Sequence, residues 1–261
     1  MYDQRTVSVV IPAYNEEETI AGVVADYVAS PYVDEVIVVD NNCKDRTAEL
    51  ARGAGARVVA ESKPGYGCAL KAGMTAATMD ILILTEADGS FKAADILKLL
   101  VYLEACGMVL GTRTTRQLVQ QGANMDFLLR WGNVTAAKIL ELLWYIPHEP
   151  RLTDVGCTYR ALRRETFRII ADGLSESGPG FSPEMICECF RRGVRVIEVP
   201  VSYHARMGGE SAHSKNLRAV VRTAVKMFRC IFRKRFSRRP KPEDPEKSAA
   251  CEPKPSGPSN R

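Results

Sequence analysis

Short apolar runs alternate with polar, turn-rich clusters through the first half of the chain. "VSVVIP" (7–12), "EVIVVD" (35–40), "RVVA" (57–60), "DILILT" (80–85) and "MVLGTR" (108–113) are mostly β-branched. Such continuous apolar runs fit parallel strands buried on both faces. Between them, helical spacing covers about 16–30, 45–54, 68–78 and 93–106, and Asp45 is predicted to cap the second helix. The β-α-β-α rhythm predicts an α/β fold with a doubly wound, mostly parallel sheet flanked by helices. Ligands of such sheets lie outside the carboxyl ends of the strands.

The second half changes character. A long helical stretch, about 124–146, leads into "TDVGCTYRALRRETF" and another helix near 182–192. A strand is expected within "VRVIEVPVSYH" (194–204), followed by the Gly-rich loop "ARMGGESAHSK" and a final helix over 216–236. Residues 237–261 are rich in Pro, Ser and charge and are expected to be disordered. The chain thus divides into a main unit over 1–215, a helix over 216–236 and a tail.

The 261 residues allow one large α/β domain or two small ones. Of the eight cysteines, only Cys187 and Cys189 form a C-x-C, and it lies inside a helical pattern. Without a second spaced pair, reduced cytosolic thiols fit better than a zinc site. The amino terminus runs straight into a strand with no visible signal peptide. No apolar run approaches the roughly 20 residues needed to span a bilayer. The net charge of +5 is local in origin: residues 216–239 carry nine Lys/Arg and no acid, and subtracting those nine leaves −4 elsewhere. That pattern argues for one basic surface rather than a general nucleic-acid binder, for which aromatic stacking platforms and a binding motif are also missing.

Polar clusters sit at the predicted strand ends: "PAYNEEE", "DNNCKD", "ESKPGYG" and "TEADGSF". In the last, Glu86 and Asp88 stand one residue apart where an apolar run stops, with Gly89 and Ser90 following. Adjacent carboxylates repel unless a cation compensates. Mg²⁺ is commonly held by one or two carboxylates together with substrate phosphates, and Ser90 could add a hydroxyl. A plain turn beginning at Asp88 is the alternative. Other phosphate sites fail: G-x-x-x-x-G-K-[ST] is absent, and "GYGCALKAG" does not satisfy G-x-G-x-x-G. Gly65 and Gly67 would still let backbone approach a ligand, or simply make a helix-entry turn.

With "VSVVIPAYNEEETI", "EVIVVDNNCKDRT", "EADGSF", "GTR", "TDVGCTYRALRR" and "EVPVSYHARMGGES" in this order, residues 5–215 resemble a family 2 glycosyltransferase of the A-type fold, near the dolichyl- and polyprenyl-phosphate sugar synthases. The resemblance implies that Pro12, Ala13, Tyr14, Glu16, Asp40, Asn41, Lys63, Gly65, Gly67 and Ala87 border a nucleotide-sugar. It places Mg²⁺ or Mn²⁺ on Glu86 and Asp88, with Ser90 beside them. Arg113, Arg160, Arg206, Ser211 and Lys215 would approach the diphosphate or the acceptor phosphate, and Asp88, Asp154, Arg113 and Arg206 would form the catalytic set. The chain departs from the family pattern at Glu86 (commonly Asp), Asn41 (commonly Asp), Thr158 (commonly Gly) and Ala212 (commonly Lys, for which Lys215 could substitute).

The implied reaction is a metal-assisted, inverting attack on the anomeric carbon with departure of a nucleoside diphosphate. A hydroxyl acceptor needs a general base. A phosphate does not, being mostly dianionic at neutral pH. Asp154 is therefore a base in one version and an orienting residue in the other. The Gln-x-x-Arg-Trp pattern of processive synthases is broken, since Phe127 precedes the Arg130–Trp131 pair where Gln would stand. A polyprenyl phosphate is the expected acceptor. A soluble or cell-envelope hydroxyl acceptor, or a nucleotide-sugar-binding pseudoenzyme, are the alternatives. Arg218, Arg222, Lys226, Arg229 and Arg233 give the last helix a basic face, and Val221, Val225, Phe228, Ile231 and Phe232 an apolar one. It reads as an interfacial helix on an anionic membrane, or as a helix packed on the main unit. The expected location is cytoplasmic, peripheral at the cytosolic face of a membrane.

Overall fold

A computed structural model describes residues 1–120, 127–144, 151–208 and 217–237. Among the described residues seven strands form one sheet: β1 (Val7–Ala13), β2 (Glu35–Asp40), β3 (Arg57–Ala60), β4 (Ile81–Leu84), β5 (Met108–Thr112), β6 (Arg160–Arg163) and β7 (Val196–Pro200). Eight α-helices accompany them among the described residues: α1 (Ile20–Val28), α2 (Thr47–Gly53), α3 (Tyr66–Ala76), α4 (Ile96–Leu103), α5 (Phe127–Leu143), α6 (Arg164–Ile170), α7 (Phe181–Arg191) and α8 (Leu217–Phe236). The sheet order is β3-β2-β1-β4-β6-β5-β7.

The uninterrupted apolar runs are explained by burial on both faces. Val9 and Ile11 of β1 pack on one side with Ile20, Val24 and Tyr27 of α1 and Leu99 of α4. Val10 points to the other side, toward Leu70 and Met74 of α3, in the core that also holds Met185 of α7 and Ile231 of α8. The pleat sends neighbours to opposite faces, so both must be apolar when helices cover both.

Two elements were not expected. β6 pairs antiparallel with β4 and with β5, inside an otherwise parallel sheet. Its four residues, "RALR", carry a charge at each end and no β-branched side chain. Only Ala161 and Leu162 signal burial, one to each core. α6 follows it directly. The reversal matters for the site: an antiparallel strand presents its amino end on the edge where its neighbours present their carboxyl ends. The turn before β6, carrying Asp154 and Thr158, is thereby delivered to the ligand edge.

The α2 cap differs slightly from expectation. Arg46 is the capping residue and makes no side-chain cap bond. Asp45, one position earlier, accepts the Thr47 backbone N–H at 3.1 Å and the Thr47 hydroxyl at 2.6 Å. Beyond β7 the chain returns along the ligand edge, where the His204 N–H donates to the Ser90 carbonyl (2.9 Å) and the Met207 N–H to that of Asp88 (3.0 Å). No described helix is long and apolar enough to cross a membrane.

Candidate active site

The carboxyl ends of β1, β2, β4 and β5 and the amino end of β6 meet at one crevice. Asp88 is only 2% exposed there. One carboxylate oxygen accepts the Ser90 N–H at 2.9 Å and the Ser90 hydroxyl. The other lies 3.0 Å from Nε of Arg206. That pair is an ion pair without a well-directed hydrogen bond, because Arg206 Nε is buried and has no aligned acceptor. Gly89, at φ +75°, allows the turn, and a Cβ there would strike the Met207 side chain.

Glu86 stands beside Asp88 and accepts the Thr158 hydroxyl at 2.6 Å, and that hydroxyl is 2.6 Å from the Tyr66 phenol. Burial and the neighbouring Asp88 charge push its pKa up to about 7. Tyr66 rises to about 12 through burial and the Glu86 charge. Glu16, at the end of β1, is raised by burial and by Asp88. Three carboxylates therefore crowd Arg206 on one edge.

Glu86 makes the stability of the fold depend on pH. Its folded pKa, about 7, exceeds the unfolded value of 4.5. The folded state thus holds the extra proton within that window, and its contribution to stability is lost as pH rises through it. Glu86→Gln keeps the acceptor oxygen for Thr158 and removes the ionisation. In metal-free buffer it should raise stability at about pH 8 by up to roughly 3 kcal/mol, and change little at about pH 4. Thermal unfolding at both pH values measures this, and equal pH slopes for the two proteins would contradict it.

Arg113 and Asp154 form the second centre. Nε and Nη2 of Arg113 donate to the two Asp154 oxygens at 2.8 and 2.9 Å, and the Arg113 N–H adds a third bond at 3.1 Å. Asp154 is 0% exposed. The guanidinium also lies 5.3 Å from the Tyr203 ring centroid. Glu198 of β7 holds the turn from the other side, accepting the N–H groups of Thr153 (2.8 Å) and Asp154 (3.0 Å) as well as the Thr153 hydroxyl.

Several expected site residues have other tasks. Arg160 turns into the core, where it is 1% exposed and donates to the carbonyls of Ser182 (3.0 Å) and Cys157. It does not reach the crevice, because the pleat of β6 aims it at the start of α7, and burial lowers its pKa. The side chain of Ala87 belongs to the apolar core. Asn41 is consumed internally: its amide donates to the carbonyls of Glu61 (2.9 Å) and Lys63 (2.8 Å) and accepts the Gly65 N–H (2.8 Å). A carboxylate could not make the two donations, which explains the amide at this position. Gly65 and Gly67 admit protein backbone: a Cβ on either would collide with the carbonyl of Ser177 or of Glu176.

The remaining expected residues line the edge. Ala13 is buried, Pro12 half-buried and Tyr14 exposed at the end of β1, while Lys63 is exposed in the loop after β3. Asp40 accepts the Cys43 N–H at 2.8 Å. Ser211 and Lys215 lie outside the described residues. Tyr66, Thr158, Tyr203 and Glu198 were not singled out as site residues. Thr158 stood out only as a departure from pattern, and the other three carried no local signal.

A Rossmann-like sheet with an acid-x-acid turn on its carboxyl edge is the A-type glycosyltransferase fold. The family model described as Glycosyl transferase family 2 matches residues 8–167, and the chain belongs to that family. It is a glycosyltransferase. An uncharacterized glycosyltransferase of Mycobacterium tuberculosis is 35% identical over 86% of this chain and 97% of its own length. A dolichyl-phosphate hexose transferase of Haloferax volcanii is 32% identical over 77% of this chain and 84% of its own. An undecaprenyl-phosphate mannosyltransferase of Micrococcus luteus is 30% identical, covering 80% and 87%. The glucosyl-3-phosphoglycerate synthase of M. tuberculosis, solved with Mn²⁺, UDP and phosphoglyceric acid, shares the fold with a TM-score of 0.69 at 22% identity, over 90% of this chain and 80% of that one.

Proposed function

We propose that the protein transfers a sugar from a UDP- or GDP-linked donor to a polyprenyl phosphate, with inversion at the anomeric carbon and with Mg²⁺ or Mn²⁺ bound. The observation that carries the acceptor is the state of Asp154. Both of its oxygens are spent on Arg113 and it is sealed from solvent. It orients Arg113 and is badly placed to take a proton from a hydroxyl. A phosphate nucleophile dispenses with the base. The names of the Haloferax and Micrococcus relatives agree with a lipid-phosphate acceptor.

The residues fit a divalent cation. Glu86 and Asp88 are two crowded carboxylates, and the cation beside them, Arg206, makes no aligned hydrogen bond through Nε. A metal would relieve the repulsion that raises Glu86. Among the described residues no group of three or more His, Cys, Asp or Glu could hold a metal ion; Mg²⁺ needs only one or two carboxylates where substrate phosphates complete its shell. Asp88 and Glu86 would hold the ion, with the Ser90 hydroxyl at hand. When bound, it neutralises charge building on the departing diphosphate. Arg206 supplies fixed positive charge at the same edge.

The test offers UDP- and GDP-sugars with a short polyprenyl phosphate, the matching alcohol or phosphoglycerate. Product is expected with the lipid phosphate alone, carrying the anomeric configuration opposite to the donor's. Efficient transfer to the alcohol or to phosphoglycerate, with none to the lipid phosphate, would favour the hydroxyl-acceptor reading. Donor binding without any transfer would point to a pseudoenzyme.

A further inference from the structure

α8 has three distinct long faces. Met227, Cys230, Ile231 and Lys234 are buried against the catalytic unit. Lys234 closes that contact with ion pairs to Glu184 (2.8 Å) and Glu188 (3.0 Å) of α7. This face is the one a helix needs in order to pack on a domain. A second apolar strip remains in solvent. Val221, Val225, Phe232 and Phe236 are 53%, 58%, 43% and 75% exposed. Their spacing returns each to the same side of a helix with 3.6 residues per turn. Folding does not bury this strip.

Beside it runs the third face, Lys226, Arg229 and Arg233. These cations and the loop Glu176–Pro179 enclose a half-open cleft of about 280 Å³. Arg233 is paired with Glu176 at 2.7 Å. Lys226 and Arg229 have no ion pair among the described residues and leave the cleft with a net positive charge. Charge complementarity selects an anion, and the cleft opens next to an exposed apolar strip. An occupant that satisfies both has a phosphate joined to a hydrocarbon part.

We infer that this cleft is a headgroup site for an anionic phospholipid. The phosphodiester sits between Lys226, Arg229 and Arg233, while Val221, Val225, Phe232 and Phe236 enter the interfacial region of the bilayer. Combined basic and apolar strips of this kind bind membranes through screened attraction plus apolar burial. The far side of the same loop packs against Gly65 and Gly67, where the Gly67 N–H donates to the Ser177 carbonyl at 2.8 Å. A lipid held in the cleft therefore brings the sugar-transfer crevice to the membrane surface. The inference stands on α8 and this loop, and holds whichever acceptor the crevice uses.

The test is sedimentation of the full chain with vesicles that contain neither polyprenyl phosphate nor nucleotide-sugar. Binding is expected to equimolar phosphatidylcholine and phosphatidylglycerol, and not to phosphatidylcholine alone. The double substitution Lys226→Gln with Arg229→Gln should weaken binding about tenfold or more, whereas Arg52→Gln with Arg168→Gln, on remote exposed cations, should change it less than about twofold. Val225→Ser with Phe232→Ser should also release the protein, with unchanged circular dichroism showing that the fold is kept. Equal losses from the two charge pairs would overturn the cleft in favour of diffuse attraction. Saturable binding of inorganic phosphate that blocks sedimentation at constant ionic strength would overturn the lipid assignment. Because neither donor nor acceptor is present, this result is independent of the transfer assay.

Discussion

Asp88→Asn should lower sugar transfer by about a thousandfold or more while leaving the fold in place. The substitution is nearly isosteric, and its amide oxygen can still accept the Ser90 N–H and hydroxyl that hold the native carboxylate. What disappears is the charge facing Arg206 and, in our proposal, the metal. Arg206 keeps the Glu86 and Glu16 carboxylates beside it, so the guanidinium is not left uncompensated and the fold should be kept. The wild-type protein should lose activity on chelation and regain it with Mn²⁺ or Mg²⁺. Glu86→Asp should remain active, because it shortens the side chain without removing the charge. Turnover is measured as release of nucleoside diphosphate, with thermal unfolding in parallel. Wild-type rates for Asp88→Asn in the presence of chelator would dispose of the metal role.

The second large effect belongs to the Arg113–Asp154 pair. Asp154→Asn removes the charge that compensates a guanidinium only 12% exposed. Breaking a buried pair from one side typically costs about 3–5 kcal/mol, because the remaining charge stays desolvated. The denaturant midpoint should fall accordingly with an unchanged m-value. Replacing both partners by apolar residues, as in Arg113→Met with Asp154→Leu, should recover much of that loss, since neither ion is then left buried alone. The same variants address mechanism. An orienting Asp154 predicts that residual Asp154→Asn activity keeps the parent's pH profile. A stable Asp154→Asn whose profile loses its acid limb would instead identify Asp154 as the general base.

Much of the fold was legible because its signals are local. The runs around Val9, Ile37 and Ile83 are apolar at successive positions, and only a sheet covered on both faces requires that. The strand ends are marked by abrupt changes to polar residues, and these alone place Glu86 and Asp88 on the ligand edge. The basic and apolar spacing of α8 was visible for the same reason, since helical geometry relates residues three and four apart.

Local pattern along the chain is enough to establish the class of sheet, its ligand edge and the acid-x-acid turn. What each polar group at that edge is bonded to follows from the completed fold alone. Arg113 and Arg160 look alike in sequence, yet one grips Asp154, 41 residues away, and the other is spent on core carbonyls. Gly65 and Gly67 look like ligand-binding glycines, but their missing side chains make room for Glu176 and Ser177. β6 was unreadable because its strand character comes from the two neighbours it pairs with, residues 81–84 of β4 and 108–110 of β5, all distant along the chain. The physical reason is one of range. Backbone periodicity is set within a turn of helix or a strand's length. Hydrogen bonds, ion pairs and pKa shifts are set by whatever the completed fold brings within a few ångströms, and its distance along the chain leaves no trace in local pattern.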